Sequence, residues 1–308
     1  MADLDYNIRN YRSSDLEGCV HIWLIEGHDQ TGHCTSPQIV EMRLQKPGFT
    51  LEETVLVAEK DGNIFGCLNI TLELARKHAV VHCTVHPEHR RQNIATALIN
   101  KAVERIVDMG ATVASTDILE NNPAAKNLLH KLGFKPVRRF IEMQMALDNK
   151  PTGTASPSMV IRHLAQNEEA ALADLQNRAF AQHWGYNPNT VEEITYQLKQ
   201  GNGSYQNVIL ACVDNKPAAY CWTTPITKTN STTGKKHGSI LMLGVDPDYQ
   251  SKSIGKAVLI AGLSSLFDRG VEVVEITADS VNEKALALYK SAGFQQQAIS
   301  QCYEKVLA

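Results

Sequence analysis

The chain has 308 residues, 43% of them hydrophobic and 20% charged, with a formal net charge of -3; at roughly 100 to 200 residues per domain, that length favours two cores over one. A charge so close to neutrality lacks the basic face that nucleic acid demands, so DNA and RNA are not expected partners. The N-terminal stretch MADLDYNIRNYRSSD is acidic and polar where a secretory leader is basic and then apolar, and no apolar run nears the roughly 18 residues of a membrane span, so a cytoplasmic chain without a membrane partner is expected.

In chain order, YNIRNY reads as a strand and SSDLE as the capped start of a helix from Ser14 to Gly27. TVLVAEKDGNIFGCLNITL follows as two strands about a DGN turn, and HAVVHCTV as a third. A helix runs from Ala95 to Met109 and stops at Gly110, TVASTDIL is a strand, PAAKNLLHKL is a helix stopped by Gly133, and PVRRFIEMQMAL is a strand closing the first sheet. DNKPTGTASPS is a polar linker. The order then recurs as SMVIRHL, a helical stretch through LADLQNRAF, the strands NVILACV, AAYCWTT and SILMLGV, a helix from Gly255 to Phe267, VEVVEITA, EKALALYKSA and AISQCYEKVL.

The recurrence is in register. Val85 matches Val245, Pro87 matches Pro247, Ala95 matches Gly255, Asn122 matches Asn282, and Gly133-Phe134 match Gly293-Phe294, each pair 160 positions apart. Upstream, Ile8-Arg9 match Ile161-Arg162 and Asp61 matches Asp214 at a spacing of 153, so the second copy carries an insert of seven residues, placed in TKTNSTTGKKHG. This predicts an N-terminal domain over 1–149, a linker over 150–158 and a C-terminal domain over 159–308. Each is α/β, a mixed and mostly antiparallel sheet flanked by helices.

The seven cysteines are scattered and include no CxxC, which predicts buried structural thiols. His78, His82 and His86 recur at every fourth position on one face of a strand, but residues so spaced lie about 13 Å apart. They read as one partly exposed strand face, and no metal is expected.

The two turns, DPDYQSKSIGKAV and HPEHRRQNIATAL, each join an apolar strand to an apolar helix. A strand-to-helix turn exposes backbone N–H groups that have no intrahelical partner, and the helix dipole adds positive charge, which makes a seat for an anion. These residues resemble the signature of the GNAT acyltransferase superfamily: V-x-P, then Gln or Arg, two residues, Gly, one residue, Gly or Ala. The second copy reads Val245-Asp-Pro247 with Gln250, Ser253 and Gly255, and the first Val85-His-Pro87 with Arg90, Asn93 and Ala95. The companion pattern appears as Asn282, Tyr289 and Gly293-Phe294. The duplication covers nearly the whole chain and, with HWGYNP at 183 to 188, is similar to the tandem-domain branch that includes the mycothiol synthases.

The resemblance implies acetyl-CoA as cofactor and N-acetylation of a small-molecule primary amine, by a monomer or homodimer. Leu243, Gly244 and Val245 would hold the thioester, and Gln250, Ser251, Lys252, Ser253, Ile254, Gly255 and Lys256 the pyrophosphate, with Asn282 and Tyr289 also against the cofactor. The first copy's counterparts are Val85, Arg90, Arg91, Gln92, Asn93, Ile94, Ala95 and Thr96. Ser253 and Asn93 stand where the family carries a glycine; Asn tolerates left-handed backbone well and Ser less so. Tyr289 is either an amphipathic core tyrosine or the phenol that protonates the leaving thiolate. Its counterpart, Leu129, has no proton to give, so the second copy is expected to be catalytic and the first degenerate.

Relatives carry a glutamate base where this chain has Ser239. His183 is the remaining candidate base, its alternative being to fix a loop with Trp184. Trp184, Tyr186, Tyr220 and Trp222 are expected as apolar walls, and Lys235, Lys236 and His237 as either an acceptor-facing loop or a solvated hairpin tip. A CoA-binding module without turnover, and a protein or peptide acetyltransferase, stay open as alternatives.

Overall fold

The computed structural model describes residues 5–29, 50–153, 159–199, 204–229, 233–250 and 253–307. The first copy runs β1 (Asn7–Asn10), α1 (Leu16–Asp29), β2 (Val55–Lys60), β3 (Asn63–Glu73), β4 (His78–Val85), α2 (Ile94–Asp108), β5 (Val113–Leu119), α3 (Pro123–Lys131) and β6 (Lys135–Ala146). The second runs β7 (Met159–His163), α4 (Glu169–Phe180), α5 (Val191–Lys199), β8 (Val208–Val213), β9 (Lys216–Thr229), β10 (Lys236–Val245), α6 (Ile254–Asp268), β11 (Val273–Asp279), α7 (Glu283–Ala292) and β12 (Gln295–Val306). Among the described residues no helix is long and apolar enough to cross a membrane.

The chain forms two compact units, one of Met1–Ile141 with Ala298–Ala308 and one of Glu142–Gln297. In the first, β1 to β4 are antiparallel neighbours, β5 lies parallel to β4, and β12 closes the sheet antiparallel to β5. In the second, β7 to β10 are antiparallel neighbours, β11 lies parallel to β10, and β6 borders β11. The closing strands are therefore exchanged. PVRRFIEMQMAL, expected to complete the first sheet, runs from Glu142 onward in the second unit, and the chain's last residues complete the first. The division differs from 1–149 and 159–308 by that exchange.

Helices form where apolar residues recur at three and four. In α2, Ile94, Leu98, Ile99, Ala102 and Ile106 are buried, and they pack with Leu56, Leu68, Ile70 and Phe134 in the first core. Truncating such a residue, Leu98 for example, costs roughly 2 to 5 kcal/mol. In the second unit Leu172, Leu175, Ile194, Leu210, Tyr220 and Trp222 share a core. The insert lengthens the β9–β10 hairpin: these strands have 14 and 10 residues against 11 and 8 for β3 and β4.

Three expectations change. Lys236 and His237 begin β10, and His237 is buried with its Nδ1 2.8 Å from Glu275, so this is no acceptor-facing loop. Tyr220 and Trp222 are core residues rather than walls of a cleft. His78 is buried with its Nδ1 2.7 Å from Glu73, and His86 lies past the end of β4, so the three histidines do not share an exposed face.

Candidate active site

Parallel β10 and β11 pair only at His237 with Val273, Gly238 with Val274 and Ser239 with Glu275. Beyond that register both strands line a cavity of about 540 Å³, from Ile240 to Val245 on one side and from Ile276 to Asp279 on the other. A register shift against β9 between Ile240 and Met242 marks a bulge at the start of the opening. The splay of two parallel strands thus opens the sheet without breaking either unit's core.

Five elements bring side chains to this cleft. Tyr289 on α7 lines it while only 5% exposed. Its ring meets Phe294 edge-on at 6.0 Å, and burial pushes the phenol well above its usual range. Its hydroxyl is therefore a committed donor at neutral pH. His183, in the turn after α4, stands over the Phe180 ring at 4.6 Å. Partial burial lowers its imidazole below the ordinary value, against the raising effect of the Asp279 carboxylate. Asp279 ends β11 and lines the same cleft, with one oxygen accepting from the Val281 N–H at 3.2 Å.

The turn into α6 forms the floor. Ser253 has φ +59° and ψ +9°, the left-handed conformation that the family's glycine would adopt freely, and its side chain makes no cap hydrogen bond. The first helical bond is Ala257 N–H to Ser253 C=O at 3.1 Å, so the amides of Ile254, Gly255 and Lys256 precede the helix ladder. Gln250, Ser253, Ile254, Gly255 and Lys256 all line the cavity; Ser251 and Lys252 lie outside the described residues. Such a turn fits a pyrophosphate: amides with no backbone partner among the described residues, a helix dipole, and the cation of Lys256 with that of Lys284 from α7. Asn282 lines the cavity too, but its Oδ1 caps α7 by accepting from Ala285 N–H at 3.1 Å.

Leu243, Gly244 and Val245 line the cleft on β10. Gly244 is fixed by packing, because a Cβ there would stand 2.6 Å from Tyr220 Cε1 and 2.9 Å from Phe180 Cε2. Asp246, buried at the end of this strand, accepts the Asp248 N–H at 3.0 Å and pairs with Arg178 of α4, which ties the turn to the helical wall. Ser239 and Glu275 lie on the paired part of the strands, and neither lines the cavity. Trp184 and Tyr186 do not line it either: Tyr186 stacks on Phe180 and donates to Asn177 Oδ1 at 2.8 Å.

The first unit makes the same turn with different side chains around it. Asn93 is left-handed at φ +64° and Arg91 at φ +66°. Leu129, in Tyr289's place, is 3% exposed in the core, as is Ile94 at 1%. Arg90 Nε donates to Val85 C=O at 3.1 Å and Gln92 Oε1 accepts from Tyr6 at 2.9 Å. Val85, Ala95 and Thr96 complete the turn around them. Sequence reasoning missed Asp279, Lys284 and the Arg178–Asp246 pair. No local pattern marks them, since only the fold brings positions 178 and 246 together.

The acetyltransferase (GNAT) family profile matches residues 19–134 and 170–294. A mycothiol acetyltransferase of Sanguibacter keddieii is 29% identical over 229 residues, 72% of each chain. One of Nocardiopsis dassonvillei is 30% identical over 232 residues, 68% of this chain and 69% of that one. Among solved structures, a tandem GNAT protein from the clavulanic acid biosynthesis pathway superposes with a TM-score of 0.78 at 14% identity, covering 98% of this chain and 99% of that one. A GCN5-related N-acetyltransferase from Sphaerobacter thermophilus gives 0.76 at 20% identity, covering 98% and 96%. With the family matched twice, in register with the two copies, the chain belongs to the acetyltransferase (GNAT) family as a tandem acyltransferase.

Proposed function

We propose that the second unit transfers an acetyl group from acetyl-CoA to the primary amine of a small molecule, and that the first unit does not turn over. The observation that carries this reading is the convergence of Tyr289, His183 and the uncapped turn at 253–256 on one cleft. The relatives' name supports a small-molecule acceptor.

Acetyl-CoA supplies the acetyl group as a thioester. The amides of Ile254, Gly255 and Lys256, with Gln250 and Ser253 beside them, would hold its pyrophosphate, and Asn282 lines the same cavity. Backbone N–H groups near Leu243, Gly244 and Val245 orient the thioester carbonyl and steady its developing negative charge. His183, neutral at physiological pH because burial lowers its pKa, takes a proton from the acceptor's ammonium group, directly or through one water. Asp279 offers that ammonium group a counter-charge. As the C–N bond forms and the C–S bond breaks, the Tyr289 hydroxyl donates to the departing sulfur.

The test is CoA release with acetyl-CoA and a panel of amino acids, polyamines, aminoglycosides and peptides, measured against acetyl-CoA alone. Release stimulated by at least one small amine and lost in Tyr289→Phe supports the reading. Stimulation by peptides alone, or by nothing on the panel, rejects it.

A further inference from the structure

The first unit's turn holds a second set of chemistry-bearing side chains that acetyl transfer does not use. His86, Glu88 and His89 present one donor atom each, all within 4.8 Å of one another. They sit on a rigid base: His86 precedes a 3-10 turn, Pro87–His89, whose proline fixes the backbone. The His21 ring, from α1, stacks against His86 with centroids 6.4 Å apart. We propose that His86, Glu88 and His89 form a divalent transition-metal site of the Zn²⁺ class, with the fourth position left to solvent.

Three observations support this. First, the fold does not need histidines here. The second unit makes the same turn, with N-cap φ of -52° at Asp246 against -48° at His86, and caps it with the better acceptor. Asp246 takes the Asp248 amide at 3.0 Å, whereas His86 Nδ1 reaches the Glu88 amide only at 3.4 Å. A metal on either His86 nitrogen displaces no more than that long contact.

Second, Tyr6 is placed to hold His89 in the tautomer a metal requires. The Tyr6 hydroxyl gives its one proton to Gln92 Oε1 at 2.9 Å and lies 2.6 Å from His89 Nδ1. The Tyr6 oxygen must then accept from Nδ1–H, which leaves the Nε2 lone pair open. That is the outer-shell arrangement that orients ligating histidines. The Phe65 ring, 3.9 Å from His89 centroid to centroid, holds it in place.

Third, the donor set of imidazoles with one carboxylate suits Zn²⁺, Co²⁺ or Ni²⁺ over Mg²⁺ or Ca²⁺. A tetrahedral centre with ligands about 2.0 to 2.1 Å away needs donors about 3.4 Å apart. Side-chain rotation at this surface turn closes the remaining gap.

The untagged full chain, stripped with chelator, is titrated with Zn²⁺ by calorimetry and with Co²⁺ by visible absorption. One saturable equivalent is expected, with the intense d–d bands of tetrahedral Co²⁺. His86→Ala and His89→Ala should each weaken binding at least 100-fold. Tyr6→Phe should weaken it about 10- to 100-fold, as loss of an outer-shell partner does, with thermal stability of the stripped protein monitored to separate misfolding from lost affinity. Glu88→Gln, at an exposed site, serves if a histidine variant does not fold. The site is overturned if no saturable equivalent binds, or if the His86→Ala/His89→Ala double variant binds Zn²⁺ as tightly as the native chain.

Discussion

Replacing Tyr289 by phenylalanine separates the two roles open to that residue. The ring is 5% exposed and meets Phe294 edge-on, so Tyr289→Phe keeps the packing and removes only the hydroxyl. Among the described residues that hydroxyl has no hydrogen-bond partner, so its loss should leave stability unchanged or slightly raised. Complete general-acid catalysis is worth roughly 10² to 10⁴ in rate. Here burial raises the phenol far above its usual range, while an ordinary thiol titrates near 8.5. Full transfer to the sulfur is uphill, and the hydroxyl acts chiefly by hydrogen-bonding the developing thiolate. A hydrogen bond to a charged group contributes about 1.5 to 3 kcal/mol, which corresponds to a fall in kcat of roughly 10- to 150-fold. Steady-state CoA release at saturating amine should show that fall with the KM for acetyl-CoA within about twofold. A kcat within threefold of the native value, with lesions at Arg90 or Ala95 silencing the protein, would place catalysis in the first unit.

His183 titrates below its usual value of about 6.5 because burial disfavours the imidazolium. The acidic limb of kcat/KM should therefore lie below pH 6.5 and vanish in His183→Gln. The folded state binds fewer protons there than the unfolded chain, so His183 lowers stability as pH falls through the unfolded pKa, and a urea series from pH 7 to pH 5 should show a shallower decline in that variant. Ser253→Gly relieves a left-handed β-carbon worth roughly 1 to 2 kcal/mol, less glycine's entropy cost of about 0.5 to 1. Chemical denaturation should show a gain below about 1.5 kcal/mol, smaller still for Asn93→Gly because asparagine tolerates that region. Gly244→Ala drives a β-carbon to 2.6 Å from Tyr220 Cε1, and thermal melts should report a loss of about 1 to 3 kcal/mol, with weaker acetyl-CoA binding by calorimetry.

What the sequence disclosed was local or repeated. The offset of 160 positions aligns Asn122 with Asn282, and in the structure both cap helices through the same bond, to Ala125 N–H at 3.0 Å and Ala285 N–H at 3.1 Å. The left-handed need at Ser253 and Asn93 was readable because the residue there is a deviation from a known small-residue pattern. Long-range choices were not readable. Which sheet each closing strand joins is a choice of edge made between distant parts of the chain, and no local pattern encodes it. Tyr220 and Trp222 share one strand face, but whether that face meets a cleft or a core is decided by the helices covering it. Asp279 is an ordinary strand-end carboxylate until the splay of β10 from β11 turns it toward His183.

The two turns now show which part of the site duplication preserves. An anion seat built from backbone amides depends on φ and ψ, and these agree: 64° and 8° at Asn93, 59° and 9° at Ser253, with the first helical bond at 3.0 and 3.1 Å. Proton transfer depends on side chains, and those differ, Leu129 against Tyr289. A first copy that does not turn over, as proposed, therefore need not lack phosphate affinity. Two of its polar side chains are already engaged, Arg90 with Val85 and Gln92 with Tyr6, so the amides have less side-chain help in holding a cofactor. Native mass spectrometry should find a tight CoA on the second unit and a weaker one on the first, the weaker lost on bulky substitution at Asn93. One CoA per chain at saturation, unaffected at Asn93 and abolished by substitution at Gly255, would show that backbone geometry without free side chains is too weak a seat.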